Sequence, residues 1–481
     1  MTEFVQPNLI PALPEIVMLV MTCLVLVVDL FLPQEKRGYS LFLAVATLVL
    51  TALTIIAVAP VDSISSFGGS FLLDQMAVTL KLAICVITIL VFVYSRDYLT
   101  DHDIYKGEYY VLGLFAVLGM MIMISAHSFL LIYLGLELLS LSLYAMIAFN
   151  RKSLAASEAA MKYFVLGAMA SGLLLYGISI FYGVTGTLNI DQFAQVVNDK
   201  MSENPIPLAF AMTFIVVGLS FKMGAVPFHM WLPDVYQGSP TSVTLFIGTA
   251  PKIAGFAMAM RLLVDGLGDL YADWSQMLIV LAVASMVIGN IIAIAQTNFK
   301  RMLAYSTISH VGFILLGILS GTATGYASAM FYTLTYAITA SVAFGVLILL
   351  NRRGAEAENI SDLSGLNDSN PWYAALLAIA MFSMAGLPPT VGFYAKLSVL
   401  QSVVQIDLVW LAVIAVLFSV IGLFYYLRIV RVMYFDKPLD REVTIKQALD
   451  VKILLSANGL SLLGLGIFPS GLMAYCVLAF S

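Results

Sequence analysis

Only 11% of this 481-residue chain is charged, and its three cysteines, Cys23, Cys85 and Cys476, stand isolated in apolar runs. Isolated cysteines offer neither a disulfide framework nor the spacing of a zinc site or an iron–sulfur cluster. The net charge of -5 is spread over short loops, and no stretch resembles a basic nucleic-acid surface. Without a Gly-x-Gly-x-x-Gly after a strand, and without a flavin or haem motif, the chain is expected to do no redox chemistry itself. No positive stretch precedes the first apolar run and no small-residue cleavage site accompanies it, so residues 9–31 are expected to form a retained span rather than a signal peptide.

What the chain has instead is hydrophobicity: 61% of residues are hydrophobic and the mean hydropathy is +0.98. Almost all of it must lie in lipid or in buried contact. The expected fold is an all-α polytopic membrane protein with about fourteen transmembrane helices. These centre near residues 20, 50, 83, 117, 138, 170, 217, 251, 285, 311, 337, 384, 420 and 466, with Ser125-Ala126-His127-Ser128 dividing the fourth from the fifth. Basic residues test that count. Lys36 and Arg37 follow span 1, Arg96 and Lys106 span 3, Arg151 and Lys152 span 5, Lys300 and Arg301 span 9, and Arg352 and Arg353 span 11. Arg428, Arg431, Lys437, Arg441, Lys446 and Lys452 lie at or after the end of span 13, whereas the opposite loops hold only Lys200 and the helix-end Arg261. By the positive-inside rule the odd-numbered loops are cytoplasmic and both termini lie outside.

Five lysines remain inside spans: Lys81, Lys162, Lys222, Lys252 and Lys396. A charge at mid-membrane costs roughly 2.5 to 3.5 kcal/mol on insertion scales, so such groups face the bundle interior and invite a functional reading. Lys162 lies four residues after Glu158, which fits a helix-surface pair or a snorkelling side chain as well as a functional role. Lys81, two turns beyond Asp74, is open to either reading. Around Lys222 the segment is broken by Pro227, Pro233 and Pro240, and proline at membrane depth is tolerable only where the freed carbonyls find partners.

An internal repeat orders these features. Met223-Gly224-Ala225-Val226-Pro227 resembles Met384-Ala385-Gly386-Leu387-Pro388, and Ala160-Met161 followed by Tyr163 resembles Ala329-Met330 followed by Tyr332. Both matches pair elements five spans apart, and an odd offset means opposite directions through the membrane, as in inverted-repeat transporters. Two inverted five-helix repeats with broken helices 7 and 12 are therefore expected: residues 1–105 hold helices 1–3, 106–265 the first repeat, 266–436 the second, and 437–481 a cytoplasmic loop and helix 14. Lys222 then falls on the cytoplasmic side of the midplane and Lys396 towards the outside, with Lys252 and His310 between them.

One deeply buried acid stands out, Glu137, with Ser140, Ser142 and Tyr144 on or near its face. A Glu137–Lys222 ion pair is expected, as a structural tie or as a switch. Desolvation and neighbouring cations both weaken a lysine's hold on its proton, so groups of this kind can exchange protons near neutral pH. His310, preceded by Tyr305, Ser306, Thr307 and Ser309, is placed either to relay a proton or to sit as a satisfied core histidine. His229, near the end of span 7, reads as a capping or loop residue.

The strings GLELLSLSLYAMIAF, EAAMKYFVLGAMASGLLLYG, GLSFKMGAVPFHMWLPDVYQGSPTSVTLF, KRMLAYSTISHVGF and AGLPPTVGFYAKLSVL resemble the antiporter-like membrane subunits of proton-pumping NADH:quinone oxidoreductase, respiratory complex I. More closely, they resemble the subunit N family, the counterpart of mitochondrial subunit 2, over about residues 70 to 440. The chain's end soon after span 14, without a lateral helix, separates it from subunit L, and lysine rather than glutamate at 396 separates it from subunit M. The resemblance implies a hydrated polar axis for proton translocation through Glu137, Lys222, Lys252 and Lys396, with Lys162 also matching a family lysine. It implies coupling to quinone reduction elsewhere, with NAD, FMN, iron–sulfur clusters and quinone in partner subunits and no cofactor or metal in this chain. Expected partners are subunits M, K and J, the lateral helix of subunit L and lipids, in a bacterial inner (plasma) membrane with both termini periplasmic. Three other readings share parts of the pattern: a subunit of a multi-subunit cation/proton antiporter, a stand-alone secondary transporter, and a structural spacer in a larger complex.

Overall fold

The computed structural model describes residues 7–33, 36–203, 205–350, 357–438 and 448–481. Arg352, Arg353, Arg441 and Lys446 lie outside the described residues. In chain order come α1 (Leu13–Phe31), α2 (Gly38–Ala57), a small antiparallel hairpin of β1 (Ile64–Ser66) and β2 (Phe71–Leu73), α3 (Gln75–Asp101), α4 (Glu108–Ser125), α5 (Phe129–Ile147) and α6 (Leu154–Thr185). There follow α7 (Ile190–Glu203), α8 (Pro205–Met223), α9 (Trp231–Gly238), α10 (Thr241–Ile247), α11 (Ala250–Ala259), a π-helical turn (Met260–Gly266), α12 (Tyr271–Ile294) and α13 (Phe299–Leu319). The rest are α14 (Ala323–Leu350), α15 (Leu366–Ser369), α16 (Pro371–Ala385), α17 (Val391–Gln405), α18 (Val409–Phe435), α19 (Leu449–Ile467) and α20 (Ser470–Leu478).

Among the described residues, 13 helical segments are long and apolar enough to cross a membrane, and the short apolar α16 completes a further crossing with α17. That matches the fourteen runs read from hydropathy. Helices α3, α6 and α13 begin where side chains satisfy free N–H groups: Asp74 accepts from Ala77 N at 2.8 Å, Ser153 from Ala156 N at 3.2 Å and Asn298 from Arg301 N at 2.9 Å. The segment Thr241–Gly266 is wholly buried and α13 and α14 almost so, whereas α1, α2, α6, α18 and α19 show apolar faces outward. The core is thus built from the helices that carry the polar residues.

The two repeats are visible in backbone pairing at the starts of α5 and α13. Phe129 N donates to Leu188 O at 3.0 Å and Ile190 N to His127 O at 3.2 Å; equivalently, Phe299 N donates to Glu358 O at 2.7 Å and Ile360 N to Thr297 O at 2.9 Å. Ser128 bridges Asn189 as Asn298 bridges Asn359. Five spans separate the two pairings, so they lie at opposite faces. Loops after odd-numbered spans are stitched to one another: Arg37 donates to Tyr105 O at 3.0 Å, Arg96 pairs with Asp450 at 2.8 Å, and Arg428 donates to Gln296 O at 3.1 Å. One face of the molecule therefore carries the basic loops.

Four features depart from the sequence reading. Helix 8 is broken as well as 7 and 12, at Gly248-Thr249 between α10 and α11, with Pro251 in the first turn of α11 where its missing N–H is harmless. A short amphipathic helix, α7, precedes α8. Of the three prolines expected to break span 7, only Pro227 lies in the break; Pro233 sits inside α9 and Pro240 precedes α10. Finally, Glu137 is not the one deeply buried acid. Glu15, on α1, is buried and forms an ion pair with Lys81 of α3, which is completely buried. A pair so placed is tolerable because each charge offsets the other's desolvation, and removing one partner strands the other.

Lys81→Ala is expected to lower stability by about 3 to 5 kcal/mol, read as thermal unfolding of the purified complex and its assembled yield. The double variant Glu15→Gln/Lys81→Met should recover most of the loss. Equal stability of Lys81→Ala and wild type would mean that the pair holds nothing together.

Candidate functional site

Broken helices 7 and 12 end their first halves in the same backbone device. After Met223, the last residue of α8, Gly224 turns left-handed (φ 86°), and Gly224 N and Ala225 N donate to Ser220 O at 2.9 and 2.8 Å. After Ala385, the last residue of α16, Gly386 turns left-handed (φ 84°), and Gly386 N and Leu387 N both donate to Phe382 O at 3.0 Å. Glycine takes this conformation without the Cβ penalty. The structure therefore aligns Gly224 with Gly386 and Met223 with Ala385, one residue away from the register suggested by Met223 and Met384.

The final carbonyl of each half-helix points into the protein and carries the negative end of the helix dipole. A lysine takes each one. Lys252 Nζ, from α11, donates to Met223 O at 3.0 Å, and Lys396 Nζ, from α17, donates to Ala385 O at 2.9 Å. Lys252 also lies 5.6 Å from the Trp231 ring centre; Lys396 donates to Ser419 Oγ at 2.7 Å and lies 5.2 Å from the Phe313 ring centre. Both cations are thus held by a dipole end and a ring face rather than by a carboxylate.

Lys222, the penultimate residue of α8, is buried, but the expected ion pair with Glu137 does not form. Its Nζ donates to Ser140 Oγ at 3.3 Å, and Glu137 Oε1 is buried with no hydrogen-bond partner. Ser140 lies one turn along α5 from Glu137 on the same face, so the hydroxyl reaches Lys222 first. The carboxylate acts on the lysine through space.

His310 is buried in α13, but its partners are not the hydroxyl residues that precede it. Its Nδ1 is hydrogen-bonded to the Tyr332 hydroxyl at 2.6 Å and its Nε2 to the Tyr426 hydroxyl at 3.0 Å. Ser306 bonds the Tyr426 hydroxyl at 2.6 Å, Thr307 bonds that of Tyr336 at 2.7 Å, and Ser309 accepts from Asn290 at 2.8 Å. A small cavity of about 20 Å³, enough for about one water, joins His310 and Tyr332 to Ser383 and Lys396. Between the two breaks, Ser285 of α12 accepts from Val226 N at 2.9 Å, so a polar residue links the first break to the second repeat.

Lys162 lies apart from these groups. Its side chain is 44% exposed and pairs with Glu158 at 2.8 Å and Asp234 at 2.9 Å, which combines the expected surface pair with an acid that the sequence reading passed over. His229 falls within the break after α8 rather than near the end of span 7; it is half-buried beside Tyr305, in a loop role. Among the described residues no cluster of three or more His, Cys, Asp or Glu side chains is placed to hold a metal ion. The signals missed in the sequence were the tyrosines. Tyr332 and Tyr336 lie one turn apart on α14, a spacing that places both hydroxyls on the face towards α13.

Two inverted repeats, each with a broken helix whose end binds a lysine, define an antiporter-like membrane subunit. Residues 126–422 match the family model described as NADH:quinone oxidoreductase/Mrp antiporter, TM. NADH-quinone oxidoreductase subunit N of Thioalkalivibrio sulfidiphilus (strain HL-EbGR7) is 60% identical over 478 residues, covering 99% of each chain. A chain of respiratory complex I from Thermus thermophilus with bound aureothin superposes with a TM-score of 0.81 at 29% identity, over 96% of this chain and 98% of that one. A chain of the Mrp complex from Dietzia sp. DQ12-45-1b shares the fold, with a TM-score of 0.83 at 22% identity over 98% and 96%. The chain belongs to the NADH:quinone oxidoreductase/Mrp antiporter family, in its subunit N branch, and is a membrane-spanning subunit of an NADH:quinone oxidoreductase.

A Cβ at Gly386 would lie 2.7 Å from Lys396 Cδ as well as in the left-handed region. Gly386→Ala is therefore expected to lower stability by about 1 to 2 kcal/mol and to displace Lys396 from the break, read as a lower thermal unfolding temperature with reduced proton uptake. A variant with wild-type unfolding and uptake would contradict the geometry.

Proposed function

We propose that this chain moves protons across the bacterial inner membrane through Glu137, Lys222, Lys252, His310 and Lys396, coupled to quinone reduction in partner subunits. The observation that carries the reading is the capture of each broken helix's last carbonyl by a lysine ammonium, at Met223 and at Ala385. Such a lysine is held by dipoles rather than neutralised by a counter-ion, so its proton can leave and return without stranding a carboxylate.

Glu137, with an oxygen that no donor satisfies, is the charge best placed to answer a change in an adjacent subunit. A shift of its field alters how firmly Lys222 holds a proton, and the proton passes towards Lys252. In the second repeat, His310, between the Tyr332 and Tyr426 hydroxyls, relays to Lys396, which releases towards the outside. Each unit charge at 4 Å is worth roughly 4 kcal/mol at an effective dielectric of 20, so modest displacements suffice to move protons. Lys162, gripped by Glu158 and Asp234, is a lesser member of the set, on the basic face.

That face is cytoplasmic and both termini are periplasmic, a reading supported by the positive-inside rule. Residues 1–105, 106–265, 266–436 and 437–481 act as the N-terminal helices, the two repeats and the C-terminal loop and helix. NAD, FMN, iron–sulfur clusters and quinone belong to partner subunits. Its neighbours are subunits M, K and J, with the lateral helix of subunit L and lipids on the remaining faces. Identity of 60% to a subunit N along the whole chain favours this reading over a cation/proton antiporter.

The test compares NADH-driven proton uptake and NADH:quinone activity in membrane vesicles for wild type, Lys222→Ala and Lys252→Ala, with assembly confirmed. Both variants are expected to lower uptake at least about tenfold. Unchanged protons per NADH would make the lysines structural, and sodium-dependent exchange without NADH would identify an antiporter instead.

A further inference from the structure

Asp234 is a charge that the axis of lysines does not use. It sits on α9, with one carboxylate oxygen on Lys162 Nζ at 2.9 Å and the other on Arg301 Nη1 at 2.7 Å. Lys162 comes from α6 in the first repeat and Arg301 from α13 in the second. The acid lines a polar crevice of about 290 Å³ on the basic face, between the start of α6 and the end of α9. A second polar hollow of about 80 Å³ shares Ala155, Gln237, Gly238 and Glu358 with the first and continues it to Ser239 and Lys300. Water therefore has a built way in at this point.

Two observations tie the crevice to the interior. With the left-handed glycines aligned, Asp234 follows Gly224 by ten residues as Lys396 follows Gly386, so the acid is the first repeat's image of the lysine assigned to release. Inversion carries equivalent positions to opposite sides of the membrane. Second, Asp234 lies one turn along α9 from Trp231, whose ring centre is 5.6 Å from Lys252 Nζ. One short helix spans from the crevice to the central lysine.

We infer that Asp234 is the proton-entry group on the basic face: it takes a proton from crevice water and delivers it along α9 towards Lys252. The O–H bond formed on the carboxylate is the one broken on hydronium, leaving water; it breaks in turn as an N–H bond forms on Lys252 once that amine has given up its own proton, and Lys162 and Arg301 hold the carboxylate in place between transfers. This inference rests on the proton-translocating reading above.

The experiment uses the whole complex in inside-out vesicles and measures NADH-driven proton uptake for Asp234→Asn, Asp234→Glu, Lys222→Ala and the charge-balanced double variant Asp234→Asn/Arg301→Gln, in which Lys162 keeps Glu158. Uptake is expected to fall at least about tenfold in Asp234→Asn, to stay low in the double variant and to survive largely in Asp234→Glu. Recovery in the double variant would make Asp234 only an ionic latch between the repeats and would overturn the inference. Normal uptake in Asp234→Asn with uptake lost in Lys222→Ala would sink the entry role and leave the lysine path standing; normal uptake in both would remove the two together. Should Asp234→Asn fail to assemble, Gln237→Cys in a Cys23→Ser background is labelled from the basic face with a bulky impermeant maleimide. Labelling is expected to block uptake, and an unchanged rate after complete labelling would overturn the entry route.

Discussion

A helix interrupted inside a membrane leaves carbonyls without donors, and a lysine inside a membrane lacks an acceptor; in this chain each deficiency satisfies the other. Met223 O and Ala385 O are the ends of half-helices, and Lys252 and Lys396 are their donors. Neither element is stable alone at that depth, because an unsatisfied carbonyl and an unpaired ammonium are each costly out of water. Together they fix the positions of the breaks, the inward direction of both lysines and the burial of the helices around them. The rest of the architecture surrounds this arrangement, with α13 and α14 almost fully buried and lipid-facing helices outside.

The two halves are related but not identical. In the first repeat the lysine that binds the break comes from the next span, Lys252 on α11, whereas in the second it comes from the far half of the same span, Lys396 on α17. Ser140 on α5 is the contact of Lys222, while the corresponding stretch of α13 offers His310 between two tyrosines. The first repeat thus pairs an acid with lysines, and the second substitutes a histidine and phenols. A symmetric scaffold is thus lined by groups of different chemistry in its two halves.

Much of this was legible in the sequence because it follows from backbone rules. Runs of apolar residues, basic loops on alternate sides, and prolines beside lysines all report local constraints. The repeat's register differs by one residue from the one the shared methionines suggest, because its anchor is the left-handed turn that Gly224 and Gly386 share. The break in helix 8 had a signal in Gly248-Thr249-Ala250-Pro251, with the proline placed as at a helix start. Glu15 and Lys81 were not paired in advance because their contact joins α1 to α3 across a long stretch of chain, and hydropathy carries no pairing information. Ser140 displacing Glu137 as the contact of Lys222 depends on side-chain reach between helices, which no spacing rule encodes.

The central claim is that the lysines at the breaks work by giving up and regaining a proton, not by supplying a fixed charge. Arginine separates these roles because it keeps the charge and does not deprotonate in proteins. The most direct measurement is the number of protons taken up per NADH oxidised in assembled Lys396→Arg complex, compared with wild type. The account predicts a ratio well below that of wild type; a wild-type ratio with arginine at 396 would show that a permanent cation suffices there, and would contradict the proton-transfer role.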